Sequence, residues 1–261
     1  MTRPLIVAHR GASACAPENS LAAFRRAIQD GAEGIEFDVR LASDGVPVVF
    51  HDETLERIAG QRKKVSAVVS SQLAEIDIGS WFNKAFPQLQ DPSFSSERIP
   101  TLAQTLKLLD DFSGRVYIEL KCDGSDAKEL VRATARILKD SPLLPQIIVK
   151  SFSLSVLPIV REFLPTIKTA ALFEPSIMTM LRKKRFIIDL AEEFGADELS
   201  LHRSLISRGL MKRAKERALS IAAWTIDKPA WIPRGTKLGL RALITNNPKM
   251  MLDSIRTSSS A

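Results

Sequence analysis

Short apolar runs alternate with longer amphipathic stretches along nearly the whole chain. Leu5 to His9 reads as a buried strand, and Leu21 to Asp30 as a helix. Leu21, Phe24, Ala27 and Ile28 would form its apolar stripe, Asn19 or Ser20 its cap, and Gly31 its stop. Gly34 to Val39 is the next strand, and strand–helix–strand in this order predicts parallel pairing. In the run IEFDVRLASDGVPVVFHD, Ile35 to Asp52, the period changes to two. Ile35, Phe37 and Val39 point to one face, Glu36 and Asp38 to the other. Ser43, Asp44 and Gly45 supply a turn, and the connection is too short for a parallel crossover. The chain therefore returns antiparallel and brings His51 back near Phe37 and Asp38.

From Pro100 the alternation is regular. A capped helix with Gln104 in the reciprocal position precedes a strand over Arg115–Lys121, with Tyr117, Glu119 and Lys121 sharing one face. Helices over 126–139, 154–163, 177–194 and 204–218 alternate with strands over 147–152, 169–173, 198–202 and 221–226. A short helical piece from Pro229, a strand from Ala242 and a last helix with Pro248 at its first position follow. Apart from the return strand this makes eight strands, which predicts a (β/α)8 TIM-type barrel with one antiparallel return strand. An open doubly wound sheet fits less well, because no glycine-rich turn follows the first strand. The expected organisation is one catalytic domain over 1–256 and a disordered tail over 257–261. Within the domain, an irregular insertion at about 58–98 carries one short helix near Gln72 to Ile76. The insertion reads equally as a lid over a site or as a packed surface loop.

Composition changes the picture little. The 261 residues are 45% hydrophobic and 26% charged, ordinary for a globular protein with a sizeable core. A net charge of +7 is compatible with an anionic substrate or a membrane surface; the bland reading is Lys and Arg spread over helix faces. No nucleic-acid-binding motif accompanies the charge. Two cysteines, Cys15 and Cys122, make no disulfide framework, and no apolar run is long enough for a signal peptide or a membrane span. A cytoplasmic location is the expectation.

In such a barrel the working residues lie at the C-terminal ends of the strands. His9 and Arg10 end the first strand, Glu36 and Asp38 the second, Glu119 and Lys121 the next, and His51 folds back over the second. Charges at inward strand positions are costly in a packed core, so their gathering at one rim indicates a site. Glu36, Asp38 and Glu119 form a hard oxygen set suited to one divalent cation, Mg²⁺ or Ca²⁺. The bland alternative pairs them with Arg10 and Lys121, which are otherwise suited to phosphate oxygens. Two of the three histidines fall in this cluster, as a general acid and a general base would. Trp224 could wall a small-molecule pocket; His202 reads as a rim histidine satisfied by a neighbour.

The segments HRGASACAPENSLAAF, GIEFDVRLASDGVPVVFHDETLERIAG, RIPTLAQTL and YIELK resemble the glycerophosphodiester phosphodiesterase family in order and spacing, with weaker echoes at AWTID and LITNNP. The resemblance implies a (β/α)8 barrel with a small insertion after the His-Asp motif. It implies a divalent metal on Glu36, Asp38 and Glu119, His9 and His51 as the acid–base pair, and cleavage of small-molecule glycerophosphodiesters to glycerol 3-phosphate and an alcohol. A lysophospholipase D acting at a membrane, or a non-catalytic binder of phosphorylated ligands, are the alternatives. Two departures touch the last strand's rim: Asn246 stands where members often carry Asp, and Arg241 where an acidic residue is frequent.

Overall fold

Eight parallel strands close on themselves in the computed structural model, which describes residues 2–122, 126–178 and 185–259. They are β1 (Leu5–His9), β2 (Gly34–Leu41), β4 (Arg115–Leu120), β5 (Ile147–Ser151), β6 (Lys168–Phe173), β7 (Glu198–His202), β8 (Ser220–Trp224) and β9 (Ala242–Thr245). The ring runs β1-β9-β8-β7-β6-β5-β4-β2, and β1–β2 pairing shuts it. The ninth strand, β3 (Pro47–Val49), pairs antiparallel with the outer end of β2 and lies outside the ring. Its register sets Val39 against Val49, and the Phe50 N–H donates to the Asp38 carbonyl at 3.0 Å. His51 thus arrives level with Phe37, as the hairpin argument requires.

Strand alternation sorts the side chains into two layers. Ile35, Phe37, Val39, Val116, Ile118 and Leu120 face outward and pack beneath the first helices. Val7, Tyr117, Ile148, Ala170, Ala222 and Ala242 face inward and fill the barrel floor, small alanines making room for the tyrosine ring. Two residues further along the same strands, on the same inward face, come Glu119 and Lys150.

Helix ends follow the local chemistry. The Ser20 hydroxyl accepts from the Ala23 N–H to start Leu21–Gln29, Gly31 leaves it at φ +81°, and Thr101 with Gln104 forms a complete capping box on Leu102–Leu108. Ile28 departs from the expected stripe: the buried face is Ala23, Phe24 and Ala27, and Ile28 lies one position round the helix, at the solvent edge. β8 ends at Trp224, short of Ile226. The helix expected over 204–218 is Arg208–Glu216, after a 3₁₀ turn at Arg203–Leu205. Of the helix expected over 177–194, Arg185–Glu193 is described and 179–184 lies outside the described residues. The closing helix, Pro248–Ser259, runs beyond the expected start of the tail, and 260–261 also lie outside.

The excursion after β3 holds more order than its irregular pattern foretells. It forms Glu56–Ala59, Ser70–Leu73 and Ser80–Ala85, with a 3₁₀ turn at Val65–Ala67 between the first two and two more, Pro87–Leu89 and Pro92–Ser96, after the last. Their ladder is local, but Leu55, Ile58, Val65, Leu73 and Ile78 meet Val48 and Phe50 of the hairpin in a cluster of their own. Helices of four to six residues have no stability alone, so this shared core holds them. Among the described residues no helix is long and apolar enough to cross a membrane.

Candidate active site

The register of three adjacent strand pairs assembles the site. β1 sets His9 beside Glu36, β2 sets Asp38 beside Glu119, and β4 sets Glu119 beside Lys150. All share the inward face at the C-terminal rim, so neighbouring strands deliver their charges within one side-chain length. Gly11 lets the chain turn away there: its φ is +77°, and a Cβ would lie 2.6 Å from the Ala23 carbonyl carbon. Arg10 before it is also left-handed (φ +56°), and its N–H donates to Glu36 Oε2 at 3.0 Å.

Glu36, Asp38 and Glu119 are buried, and each offers an oxygen lying within 4.8 Å of those of the other two. Three cations face them. Lys150, 2% exposed, places Nζ 2.8 Å from Glu36 Oε1 and 3.6 Å from Glu119 Oε2. Lys121 bridges Glu119 and Asp38, with Nζ 3.3 Å from Asp38 Oδ1. Arg10 Nε lies 3.2 Å from Asp38 Oδ2. Burial alone would raise the Asp38 and Glu36 carboxyls; Lys121 and Arg10 instead hold Asp38 well below the usual range, and Lys150 holds Glu36 below it. Burial would strip Lys150 and Lys121 of their protons, and the facing carboxylates more than reverse this.

Close-set and oxygen-only, the three carboxylates fit a hard divalent cation. Glu36 Oε1 and Glu119 Oε1 support the fit: both are buried, and the ammonium groups beside them stand out of hydrogen-bond alignment.

The two imidazoles are held differently. His9 Nδ1 lies 2.7 Å from Asn246 Oδ1. The Asn246 amide nitrogen donates to Asp227 Oδ2 at 3.0 Å and its backbone N–H to Asp227 Oδ1 at 2.8 Å, which fixes Oδ1 as the acceptor toward His9. His9 therefore carries its proton on Nδ1 and turns the bare Nε2 toward Glu36 Oε2, 3.9 Å away. Burial lowers its pKa despite the neighbouring carboxylates. His51 Nδ1 instead donates to the carboxylate Asp52 Oδ1 at 2.6 Å.

Behind Asp52 stands Arg57. It donates Nε to Asp52 Oδ2 at 2.6 Å and Nη2 to Glu18 Oε1 at 2.6 Å, and its guanidinium lies 5.9 Å from the centre of the Trp81 ring in the excursion. Glu18 also accepts from Arg10 Nη1 at 2.9 Å. One arginine thus joins the support of His51 to the support of Arg10. The neutral amide of Asn19 donates Nδ2 to Asp38 Oδ2 at 2.9 Å and completes that carboxylate's shell.

Every residue expected at the site reaches the rim, but Trp224 stands at its far side. Its ring meets Phe152 edge-on at 5.8 Å and His202 at 5.4 Å; Lys121 Nζ lies 5.7 Å from the Phe152 ring. His202 Nδ1 and Ser204 Oγ lie 2.9 Å apart, a local partner of the kind expected for a rim histidine. Sequence reasoning passed over Lys150, Arg57, Glu18, Asn19, Asp227 and the orienting part of Asn246. Lys150 had a readable signal, a lone charge in the apolar run IIVKS in phase with Glu119 across the parallel pair. The others sit in loops or, for Arg57, in the four-residue helix Glu56–Ala59, where no periodicity marks direction.

Oriented imidazoles around clustered carboxylates, with cations suited to phosphate, belong to phosphoryl chemistry, and on this rim they define a barrel hydrolase of phosphate esters. The chain belongs to the glycerophosphoryl diester phosphodiesterase family, whose family model matches residues 9–250, and it is an enzyme of that kind. It is similar to the glycerophosphodiester phosphodiesterase of Caldanaerobacter subterraneus subsp. tengcongensis, 29% identical over 97% of this chain and 98% of that one. The Bacillus subtilis glycerophosphodiester phosphodiesterase is 28% identical over 95% of this chain and 85% of its own. Among solved structures, an Oleispira antarctica phosphodiesterase in complex with the product sn-glycerol-3-phosphate superposes with a TM-score of 0.82. It is 26% identical and covers 97% of each chain.

Proposed function

We propose that this enzyme hydrolyses glycerophosphodiesters to glycerol 3-phosphate and an alcohol with one divalent cation, Mg²⁺ or Ca²⁺, at Glu36, Asp38 and Glu119. The observation that carries the reading is the unlike support of the two imidazoles on either side of those carboxylates. The glycerol 3-phosphate bound by the Oleispira relative supports the product assignment.

A bound cation supplies charge neutralisation and Lewis acidity toward the phosphoryl group. The chain's own residues do the rest. His9, neutral and with Nε2 bare, takes the proton of the attacking hydroxyl as general base. His51, oriented by Asp52 through Nδ1, gives a proton to the departing alkoxide oxygen. Arg10 and Lys121 stand where negative charge grows on the phosphoryl oxygens and stabilise it. Lys150, the most buried of the three cations, keeps Glu36 ionised and holds Glu119 in place. Trp224 and Phe152 bound the far side of the mouth, where the alcohol portion would lie. The unit carrying this chemistry is the barrel over 1–256, including the excursion at 58–98.

The test is release of glycerol 3-phosphate from glycerophosphocholine with Mg²⁺, with Ca²⁺ and with EDTA. Release that depends on a divalent cation, and falls by about 10²–10⁴ in His51→Ala, is the expected result. Equal turnover in EDTA would remove the cation from the reaction, and normal turnover of His51→Ala would remove that imidazole.

A further inference from the structure

On the outer wall of the barrel, far along the chain from the residues above, the helix Arg208–Glu216 and the helix Trp231–Leu238 leave a groove of about 970 Å³ between them. The first helix turns Arg208, Met211, Lys212 and Lys215 toward it, an i, i+3, i+4, i+7 face; the second adds Arg234, Lys237 and Leu238. Of the fourteen lining residues five are Lys or Arg and none is acidic, although the chain holds 30 acidic residues to place. Such a one-signed cleft is unfavourable to the free protein through self-repulsion and calls for an anionic occupant. The floor narrows the choice. Ile206, Leu219 and Ile221 are buried beneath it, and Met211 and Leu238 are half-buried along it. No aromatic side chain lines it, so it offers no stacking platform for nucleic-acid bases. Free phosphate would use the charges and leave the apolar floor unused.

We infer that this groove is a docking surface for an anionic phospholipid membrane, the basic rim meeting headgroups and the apolar floor receiving acyl-chain segments. The cationic side chains are placed for this. Lys212, Lys215 and Lys237 are exposed; the only carboxylate near Lys212 within the described residues is the exposed Glu216, at 3.9 Å. Arg234 lies over the Trp231 ring at 4.1 Å, so an amphipathic ring stands beside the rim. The inference is independent of the reaction proposed above, because no groove residue belongs to that site.

The experiment is flotation of the whole protein with vesicles of neutral phosphatidylcholine, and with vesicles in which about one third is anionic phosphatidylglycerol. Binding to the anionic vesicles only is expected, weakening as salt rises. The double reversal Lys212→Glu with Lys215→Glu should lower it at least about tenfold while turnover of soluble glycerophosphocholine stays at the wild-type value. Met211→Ser should weaken vesicle binding with the charge unchanged. Undiminished binding of the double reversal, equal binding to neutral vesicles, or no vesicle binding at all would each overturn the inference. So would saturable binding of a dispersed short-chain phosphatidylglycerol without vesicle binding, which would make the groove a single-lipid site.

Discussion

Replacing Lys150 by methionine removes one charge and little volume from the barrel's interior. Three carboxylates, Glu36, Asp38 and Glu119, face three cations, Arg10, Lys121 and Lys150, and Lys150 is the most deeply buried of these, at 2% exposure. Without it Glu36 keeps one N–H donor, from the Arg10 backbone, and Oε1 loses its counter-charge at 2.8 Å. Breaking a buried pair by deleting one partner costs about 3–5 kcal/mol, because the surviving charge stays desolvated. For a chain of this length each kcal/mol moves Tm by about 2–4 °C, so the variant should melt about 6–20 °C lower in EDTA. The assay is thermal unfolding followed by circular dichroism, in EDTA and then with Mg²⁺ or Ca²⁺. A cation on the same carboxylates restores positive charge, so the metal-induced rise in Tm should be larger for Lys150→Met than for the wild type. A variant that melts within about 2 °C of the wild type in EDTA would refute the reasoning. So would a metal-induced rise no larger than the wild-type one.

Arg57→Ala should lower kcat about 10–100-fold with KM on glycerophosphocholine nearly unchanged, since Arg57 holds Asp52 and Glu18 and is placed behind, not in, the reacting groups; Arg57→Lys should restore only part, as one ammonium cannot make both paired contacts. Unchanged kcat would show that the clamp is idle. Lys121→Met should raise KM more than it lowers Tm, read from initial rates beside a melting curve, and the opposite pattern would make Lys121 structural. Burial raises the Asp52 and Glu18 carboxyls, but hydrogen bonds from His51 and Arg57 on Asp52, and from Arg57 and Arg10 on Glu18, hold both below their unfolded values. The unfolded chain then binds more protons in acid, so this stabilisation is full above about pH 4.5 and is lost as pH falls through and below about 4. Urea midpoints between pH 7 and 3 should fall less steeply in Arg57→Ala than in the wild type, and parallel curves would deny the linkage.

How much of this was legible in the sequence depends on periodicity. Eight strands, their phases, and the return of His51 to the level of Phe37 follow from alternation and a short turn, which are local rules. The same rules place His9, Glu36, Asp38 and Glu119 on one rim, because in a parallel barrel inward phase and strand end suffice. Ile28 was misplaced because a stripe edge is decided by which neighbouring helix leans on it. Of the small helices in the excursion only one was expected, near Gln72 to Ile76, where Ser70–Leu73 lies; four to six residues carry too little period to show the others, which the hairpin's Val48 and Phe50 help hold by offering a core. Glu18, Asn19 and Asp227 reach the site from loops and Arg57 from the four-residue helix Glu56–Ala59, whose directions are set by tertiary contacts. Asn246 was noticed only as a departure from Asp, whereas its place shows what the change does: an amide, itself held by Asp227, leaves His9 beside a neutral acceptor.

The cations divide by depth, and that division connects fold to chemistry. Lys150 lies within β5 beside Glu119, is 2% exposed in its side chain, and its ammonium meets Glu36 and Glu119. Lys121 follows the end of β4, is 14% exposed in its side chain, and faces both the carboxylates and the Phe152 ring at the mouth. The divalent cation proposed at the three carboxylates would compete with Lys121 for Asp38 and Glu119, and a phosphodiester at the mouth would offer that ammonium a new partner. Lys150, 2% exposed and against Glu36, would keep that contact. On the proposed reaction, one lysine would exchange carboxylate for phosphate while the other stays with Glu36. That requires two lysines on adjacent strands at unequal depth, which the offset of Lys121 beyond the end of β4 and Lys150 within β5 supplies.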